Sequence, residues 1–372
     1  MKLASFNVEN LFARPKVFRR GDWESGRATL ETYARISGLL EQAAYSADDK
    51  VAIAAGLAEL ELNDFDEGPF VLLRQNRGKL ARRTGTGREI TADGRGDWVG
   101  WLELRTELAN EQCVANTARV VSELGPDVIA VIEADNRPAL KRFSRDFVAK
   151  APGAGRAFRH VMLIDGNDER GIDVGLMTRS AYRITDMRSH VDDFDDDGPV
   201  FSRDCAEFVM RTPGENDVLL LVNHFKSRGH SAGTDDEEGV AKRTRQATRA
   251  AEIYEDRVGA FPFVAVVGDL NDHPASASLV PLVDGTNLRD ISAHAAFDDD
   301  GIPGTYGGAS ADNKIDYVLL SPALFDRVEG GGVFRAGVWD WADPPRWERF
   351  ATMDGPGDAA SDHAAIWADL DV

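Results

Sequence analysis

The sequence predicts a layered fold of strands and helices, α/β or α+β, and three observations carry that expectation. Short apolar, β-branched runs alternate with helical patterns along most of the chain. Three of those runs, Val128-Ile129-Ala130-Val131-Ile132, Val218-Leu219-Leu220-Leu221-Val222 and Phe263-Val264-Ala265-Val266-Val267, are continuously apolar. Both faces of such strands should be covered. Each run also ends in polar residues, the habit of strands that deliver side chains to a site at one edge of a sheet.

In chain order, Leu3-Ala4-Ser5-Phe6 reads as the first strand. Residues of about 12–110 then break the rhythm and read as a large insertion after that strand, a cap-like subdomain within a single domain of residues 1–372. Inside it, residues 29–62 are Ala-rich and helical in pattern, and Thr84-Gly85-Thr86-Gly87 and Asp93-Gly94-Arg95-Gly96 are turn material. A helix over residues 116–124 is ended by Gly125-Pro126. Another opens near Asn136, with Pro138 in its first turn. Residues 174–177, 315–320 and 364–367 read as further strands, and residues 241–258 as a helix ended by Gly259.

The 372 residues hold 43 Lys and Arg against 63 Asp and Glu, a net charge of −20. Hydrophobic content of 43% with 28% charged residues is ordinary for a globular chain and excludes wholesale disorder or a fibrous repeat. No apolar run approaches the roughly 18 residues that span a bilayer, so no membrane partner is expected. The first residues are too polar for a signal peptide, and Cys113 and Cys205 make neither a disulfide framework nor a zinc knuckle. A cytoplasmic protein with free thiols and no obligatory protein partner is the expectation. Its charge opposes non-specific coating of DNA. Residues 74–88 and 242–249 are locally basic but read first as solvated faces. Acidic loops at residues 192–197, 235–238 and 298–300 offer carboxylates to Ca²⁺, although such loops are commoner without an ion.

Polar residues recur at or just past the ends of the apolar strands: Asn7, Glu133, Asp173, His224, Asp269 with Asn271, Asp316, and Asp362-His363. Each alone is an ordinary cap, turn or surface pair. In this order, however, Ser5-Phe6-Asn7-Val8-Glu9-Asn10-Leu11, Val131-Ile132-Glu133-Ala134-Asp135-Asn136, Gly171-Ile172-Asp173-Val174-Gly175-Leu176, Asn223-His224-Phe225-Lys226-Ser227-Arg228, Gly268-Asp269-Leu270-Asn271, Lys314-Ile315-Asp316-Tyr317 and Ser361-Asp362-His363 resemble the endonuclease/exonuclease/phosphatase superfamily, the deoxyribonuclease I-like fold. The resemblance covers most of the chain outside residues 12–110. It implies a four-layer sandwich, two packed β-sheets flanked by helices, with the site at one end of the sheets.

It also implies metal-dependent hydrolysis of a phosphate ester with Mg²⁺ or Mn²⁺ held by hard oxygen ligands. On the matching positions, Glu133 is the main metal carboxylate, with Asn7 beside it and Asp362 supplying another. Asp269 and Asn271 would hold the attacking water and the phosphate. His363 resembles the catalytic imidazole and Asp316 its partner, and His224 resembles a second, general-acid histidine with Asp204, in Phe201-Ser202-Arg203-Asp204, as its candidate partner. Lys226 and Arg228 are placed to meet phosphates, while Asp173 is a weaker member of the set. His160, His190, His230, His273 and His294 match no motif. Neither a Gly-x-x-x-x-Gly-Lys loop nor a Gly-x-Ser-x-Gly elbow is present, which argues against nucleotide-driven motors and serine hydrolases. Trp98, Trp101, Trp339, Trp341 and Trp347 are available to stack bases or to pack. The substrate stays open between nucleic acid, as in a nuclease acting on DNA or short strands, and a small or lipid-derived phosphate ester. A binding module without catalysis is disfavoured by retention of every matched residue.

Overall fold

The three continuously apolar runs form the strands Val128–Ala134, Asp217–His224 and Phe263–Asp269 in a computed structural model. The structure describes residues 1–17, 23–85, 87–153, 155–168, 171–228 and 237–372. The chain forms two compact units, Met1–Phe12 with Ala109–Val372, and Ala13–Leu108.

The larger unit holds a seven-stranded and a six-stranded sheet. In the first, Lys2–Asn7 runs parallel to Val128–Ala134 on one side and antiparallel to Ala365–Leu370 on the other. Asp173–Thr178 and His160–Ile164 extend one flank, and Val328–Phe334 and Phe297–Asp298 the other. In the second sheet Asp217–His224 lies between Cys205–Arg211 and Phe263–Asp269, followed by Asp316–Leu320. Alternate residues of both sheets, among them Leu3, Ile132, Phe208, Leu220 and Val267, meet with no solvent exposure in one core. The intervening residues Phe6, Ile129 and Val131 pack outward under the helix Glu111–Leu124, which is capped by Asn110 and stopped by Gly125. Leu219, Leu221 and Val266 do the same under the helix Glu237–Val258. Covering on both faces is what the unbroken apolar runs require, and truncating one such side chain, as in Leu220→Ala, costs about 2 to 5 kcal/mol. The result is the layered α/β sandwich that the sequence predicts.

Several strands escape the pattern. Val328–Phe334 carries three glycines, and Arg183–Arg188 is an almost fully exposed strand at the sheet edge. Cys205–Arg211 buries a glutamate, Glu207, in mid-strand.

Ala13–Leu108 has its own core, with Ile36, Leu57, Leu73 and Trp98 at 3% exposure or less. The helical stretch expected over residues 29–62 is two helices, Trp23–Leu40 and Ala47–Glu59, because Ser46 and Asp49 close a capping box that starts the second. The basic stretch lies on the strands Val71–Arg77, Ala81–Thr84 and Gly87–Ile90. Thr86 lies outside the described residues. In the larger unit, where the chain leaves and re-enters, the Ala109 amide donates to the Phe12 carbonyl at 2.9 Å.

Candidate active site

The ends of five strands supply the site. In the second sheet His224 is paired with Asp269 across parallel strands, and Asp269 with Asp316 across antiparallel ones, so three polar side chains form a row. Their approach is possible because Gly268 precedes Asp269. Gly268 has φ 135°, and a Cβ there would lie 1.9 Å from the Asn223 carbonyl oxygen. In the first sheet Asn7 is paired with Ile132, the residue before Glu133. The Asn7 amide joins the two sheets by donating to Asp269 Oδ2 at 3.1 Å and to Glu133 Oε1 at 3.3 Å. Asn10 donates to the other Glu133 oxygen at 3.1 Å.

Two imidazoles approach the Asp269 carboxylate. His224 Nε2 lies 3.7 Å from Asp269 Oδ2 and 3.8 Å from Glu133 Oε1, and His363 Nε2 lies 3.9 Å from Asp269 Oδ2. His363 Nδ1 is bonded to Asp316 Oδ2 at 2.9 Å. Burial disfavours a charged ring, but Asp316, Asp269 and Asp362 outweigh it and hold the His363 pKa well above the ordinary histidine value. Burial, helped by Asp316 and Glu133 and opposed by His363, pushes Asp269 up to about 7. Asn271 turns back at φ 55°, its amide N–H donating to Asp269 Oδ1 and its side chain to the Phe225 carbonyl. Glu133, at φ 66°, Glu9, at φ 50°, and Asn10, at φ 58°, are likewise left-handed.

Asn7, Glu133, His224, Asp269, Asn271, Asp316, Asp362 and His363 are thus brought together by the fold. Other sequence-predicted positions differ. Asp204 lies one step beyond the Cys205–Asn223 pair, across from His224. Its Oδ1 accepts the His190 backbone amide at 2.7 Å and its buried Oδ2 has no hydrogen-bond partner. Asp173 accepts the Gly166 amide at 2.8 Å, bracing the loop after Ile164, and burial together with Asp165 raises its carboxyl to about 7. Lys226 is exposed, and Arg228 donates to the Asp312 carbonyl. In the acidic loops Asp193 and Asp195 are paired with Arg249 and Arg245, and Asp298 and Asp299 accept amides of their own turn. Asp235, Asp236 and His230 lie outside the described residues. His190 matches no motif but is buried between Asp193 and Glu207.

Glu9, Asn10 and Tyr306 join the site without having been singled out. Glu9 Oε2 accepts the Asp362 amide at 3.2 Å. Both Glu9 and Asn10 follow Asn7 within its motif, which was the available signal. Tyr306 packs its ring, tilted, against His363, with ring centroids 4.8 Å apart, and no motif marks it. Asp362 first, then burial, Glu9, Asp269 and Glu133 hold its phenol pKa far above the usual value.

The donor set fits a hard divalent cation. Glu133 and Asp362 present carboxylate oxygens near Asp269, with Asn7 turning its amide nitrogen to Glu133 and Asp269 and its Oδ1 to the Glu9 amide; burial, with Asp316 and Glu133 adding to it, raises Asp269, and a cation there relieves both. Ligand atoms of Asp269, Asp316 and His363 also lie within 4.8 Å of one another. Within that cluster His363 Nδ1 and Asp316 Oδ2 already satisfy each other at 2.9 Å.

A sandwich with carboxylates, amides and two imidazoles at one end is an arrangement suited to phosphoester hydrolysis. The family model for the Endonuclease/Exonuclease/phosphatase family matches residues 93–324. The chain belongs to this family and is a hydrolase acting on phosphate esters. Among solved structures, the endonuclease/exonuclease/phosphatase from Bacteroides vulgatus is similar at 15% identity and a TM-score of 0.50, over 71% of this chain and 92% of that one. The mannosyl-6-phosphatase of Bacteroides thetaiotaomicron VPI-5482 is similar at 16% identity, with a TM-score of 0.49 over 69% and 90%. The human Nocturnin catalytic domain is similar at 14% identity, with a TM-score of 0.47 over 71% and 88%. No curated protein matches. Among the described residues no helix is long and apolar enough to cross a membrane.

Proposed function

We propose that the protein is a metal-dependent phosphodiesterase, a nuclease acting on DNA or short single strands. The observation that supports this reading is the pair of imidazoles, His224 and His363, whose Nε2 atoms lie 3.7 Å and 3.9 Å from the same Asp269 oxygen. A phosphodiester has a poor leaving alcohol, so a proton donor distinct from the group that binds the phosphate is useful. A divalent ion held by the Glu133 and Asp362 carboxylates, with Asn7 beside them, would neutralise phosphate charge. Asp269, fixed by Asn7 and the Asn271 amide, orients the attacking water and accepts its proton. His363, held by Asp316, meets the phosphate as a charged donor. His224 gives its proton to the departing oxygen. Lys226 and Arg228, after the same strand, meet flanking phosphates.

A small phosphate ester is the second reading, and one observation favours it. The basic runs are matched by the protein's own acids: Arg243 with Asp272, Arg245 with Asp195 and Arg249 with Asp193 in one, and Arg74 with Glu103, Arg82 with Glu89 and Arg88 with Asp66 in the other. They leave little uncompensated positive charge for a long polyanion. Assays with Mg²⁺ and with Mn²⁺ on a plasmid, a single-stranded oligonucleotide and a panel of phosphate monoesters and diesters separate the readings. Cleavage of the oligonucleotide well above the small esters supports the first, and activity on small esters alone overturns it.

A further inference from the structure

All six tyrosines of the chain lie among the described residues. The hydroxyls of Tyr33, Tyr45, Tyr182, Tyr254 and Tyr317 each donate to a protein oxygen. The Tyr306 hydroxyl has no such acceptor among the described residues, although its residue is held from both sides. The Tyr306 amide donates to the Asn313 carbonyl at 3.0 Å, the Gly307 amide to Asp362 at 2.9 Å, and the Ala364 amide to Thr305 at 2.7 Å. Thr305 Oγ1 in turn accepts the Asp316 amide at 3.1 Å. The segment is therefore pinned to the strand that carries Asp316 and to the loop that carries His363, and the ring leans on the His363 imidazole at 52°. A phenylalanine would serve that packing equally well. The hydroxyl is the part without a structural use, and it lies within electrostatic reach of Asp362, Glu9, Asp269 and Glu133, the groups gathered where the phosphate is proposed to bind.

We propose that Tyr306 is a further substrate-contacting residue, its hydroxyl donating a hydrogen bond to a non-bridging oxygen of the phosphate bound beside His363. The inference rests on the phosphoester reading above and deepens it. The physical case is one of charge. A phenol is protonated at neutral pH, so it adds a donor without adding a charge. A cationic side chain at the same place would collapse onto the surrounding carboxylates, and an anionic one would repel the substrate. A neutral donor facing a charged phosphate forms a bond stronger than a neutral pair does. Rigid anchoring on both flanks means that little freedom remains to be lost when that bond forms.

The test is Tyr306→Phe, which keeps the ring and removes the oxygen. Wild type and variant are compared by kcat/KM on bis(p-nitrophenyl) phosphate with Mn²⁺, by calorimetric titration with inorganic phosphate in Mg²⁺, and by thermal melting. The expected result is a loss of about 10- to 100-fold in kcat/KM and phosphate binding weakened about tenfold, the range for a hydrogen bond to a charged group, with melting unchanged. Equal kcat/KM and equal phosphate affinity overturn the role of Tyr306 and leave the phosphoester reading intact. Should wild type hydrolyse no phosphate ester, that reading fails, and the phosphate titration alone decides Tyr306. Equal affinity, or binding by neither protein, then overturns it.

Discussion

Nδ1 of His363 lies 2.9 Å from Oδ2 of Asp316, with both side chains buried and the two residues 47 positions apart in the chain. The contact fixes which ring nitrogen faces Asp269 and supplies the counter-charge for a protonated imidazole.

Asp316→Asn is therefore expected to leave the fold in place and lower kcat by about 10²- to 10⁴-fold, because the amide cannot hold the same tautomer or stabilise the charged ring. Steady-state rates on a phosphodiester, with melting as the control for folding, check this. A rate within twofold of wild type would remove the pair from the chemistry.

Chelation of divalent ions by EDTA is expected to abolish turnover, and restoring Mg²⁺ or Mn²⁺ to recover it, since no covalent nucleophile is assigned and phosphate charge would go uncompensated. Glu133→Gln should act in the same direction, because Glu133 is the carboxylate shared by Asn7 and Asn10. Full turnover in excess EDTA is the outcome that would sink the metal.

His224→Ala is expected to hurt most where the leaving alcohol is poor and least where it is a nitrophenolate, whereas His363→Ala should impair both. General-acid assistance is worth about 10²- to 10⁴-fold, so the contrast is measurable as a ratio of kcat/KM values. Equal losses on both leaving groups would leave His224 as a binding or structural residue.

Away from the reacting groups, the His190 ring bridges Asp193 at 3.0 Å and Glu207 at 2.9 Å, and Arg249 and Arg257 stand behind those two carboxylates. Burial opposes the charged ring, but the Glu207 and Asp193 hydrogen bonds raise its pKa overall. A raised folded value means that the stabilisation is fully present below the unfolded value of about 6.5 and fades as pH climbs through the folded one. His190→Gln should accordingly cost about 3 kcal/mol at pH 6 and clearly less at pH 9. Urea unfolding at the two pH values provides the measurement, and a pH-independent difference would mean that the ring is neutral.

Deleting Ala13–Leu108 and closing Phe12 to Ala109 with a short linker should leave the larger unit folded, because those two residues are already joined by a backbone hydrogen bond and the excised unit has a core of its own. If that unit governs which substrates enter, the ratio of oligonucleotide to small-ester activity should change severalfold. An unchanged ratio in a folded variant would argue that it does something else.

What could be read from the sequence follows burial. Val128–Ala134, Asp217–His224 and Phe263–Asp269 announce themselves because both of their faces are covered, which removes polar residues from the pattern. Val328–Phe334 and Arg183–Arg188 stay silent because glycines and exposed charges erase the signal. In the site, Asn7, Glu133 and Asp269 stand at strand ends and are visible as polar breaks. Tyr306 is not, since it reaches the His363 ring through an isolated bridge between loops, a contact that no local spacing encodes. Asp204 is legible only in part: its motif points to His224, and its bond to the His190 amide is a contact between loops that the motif does not encode.

The left-handed backbone of Glu133 has a consequence for how this enzyme would evolve under heat. At φ 66° an ordinary side chain is strained by roughly 1 to 2 kcal/mol, which glycine would relieve. Glu133→Gly would release that strain while losing the hydrogen bonds from Asn7 and Asn10 and the carboxylate on which turnover is proposed to depend. Laboratory selection for thermal tolerance alone does not protect a strained position of this kind, so any stabilisation campaign must screen for turnover in every round.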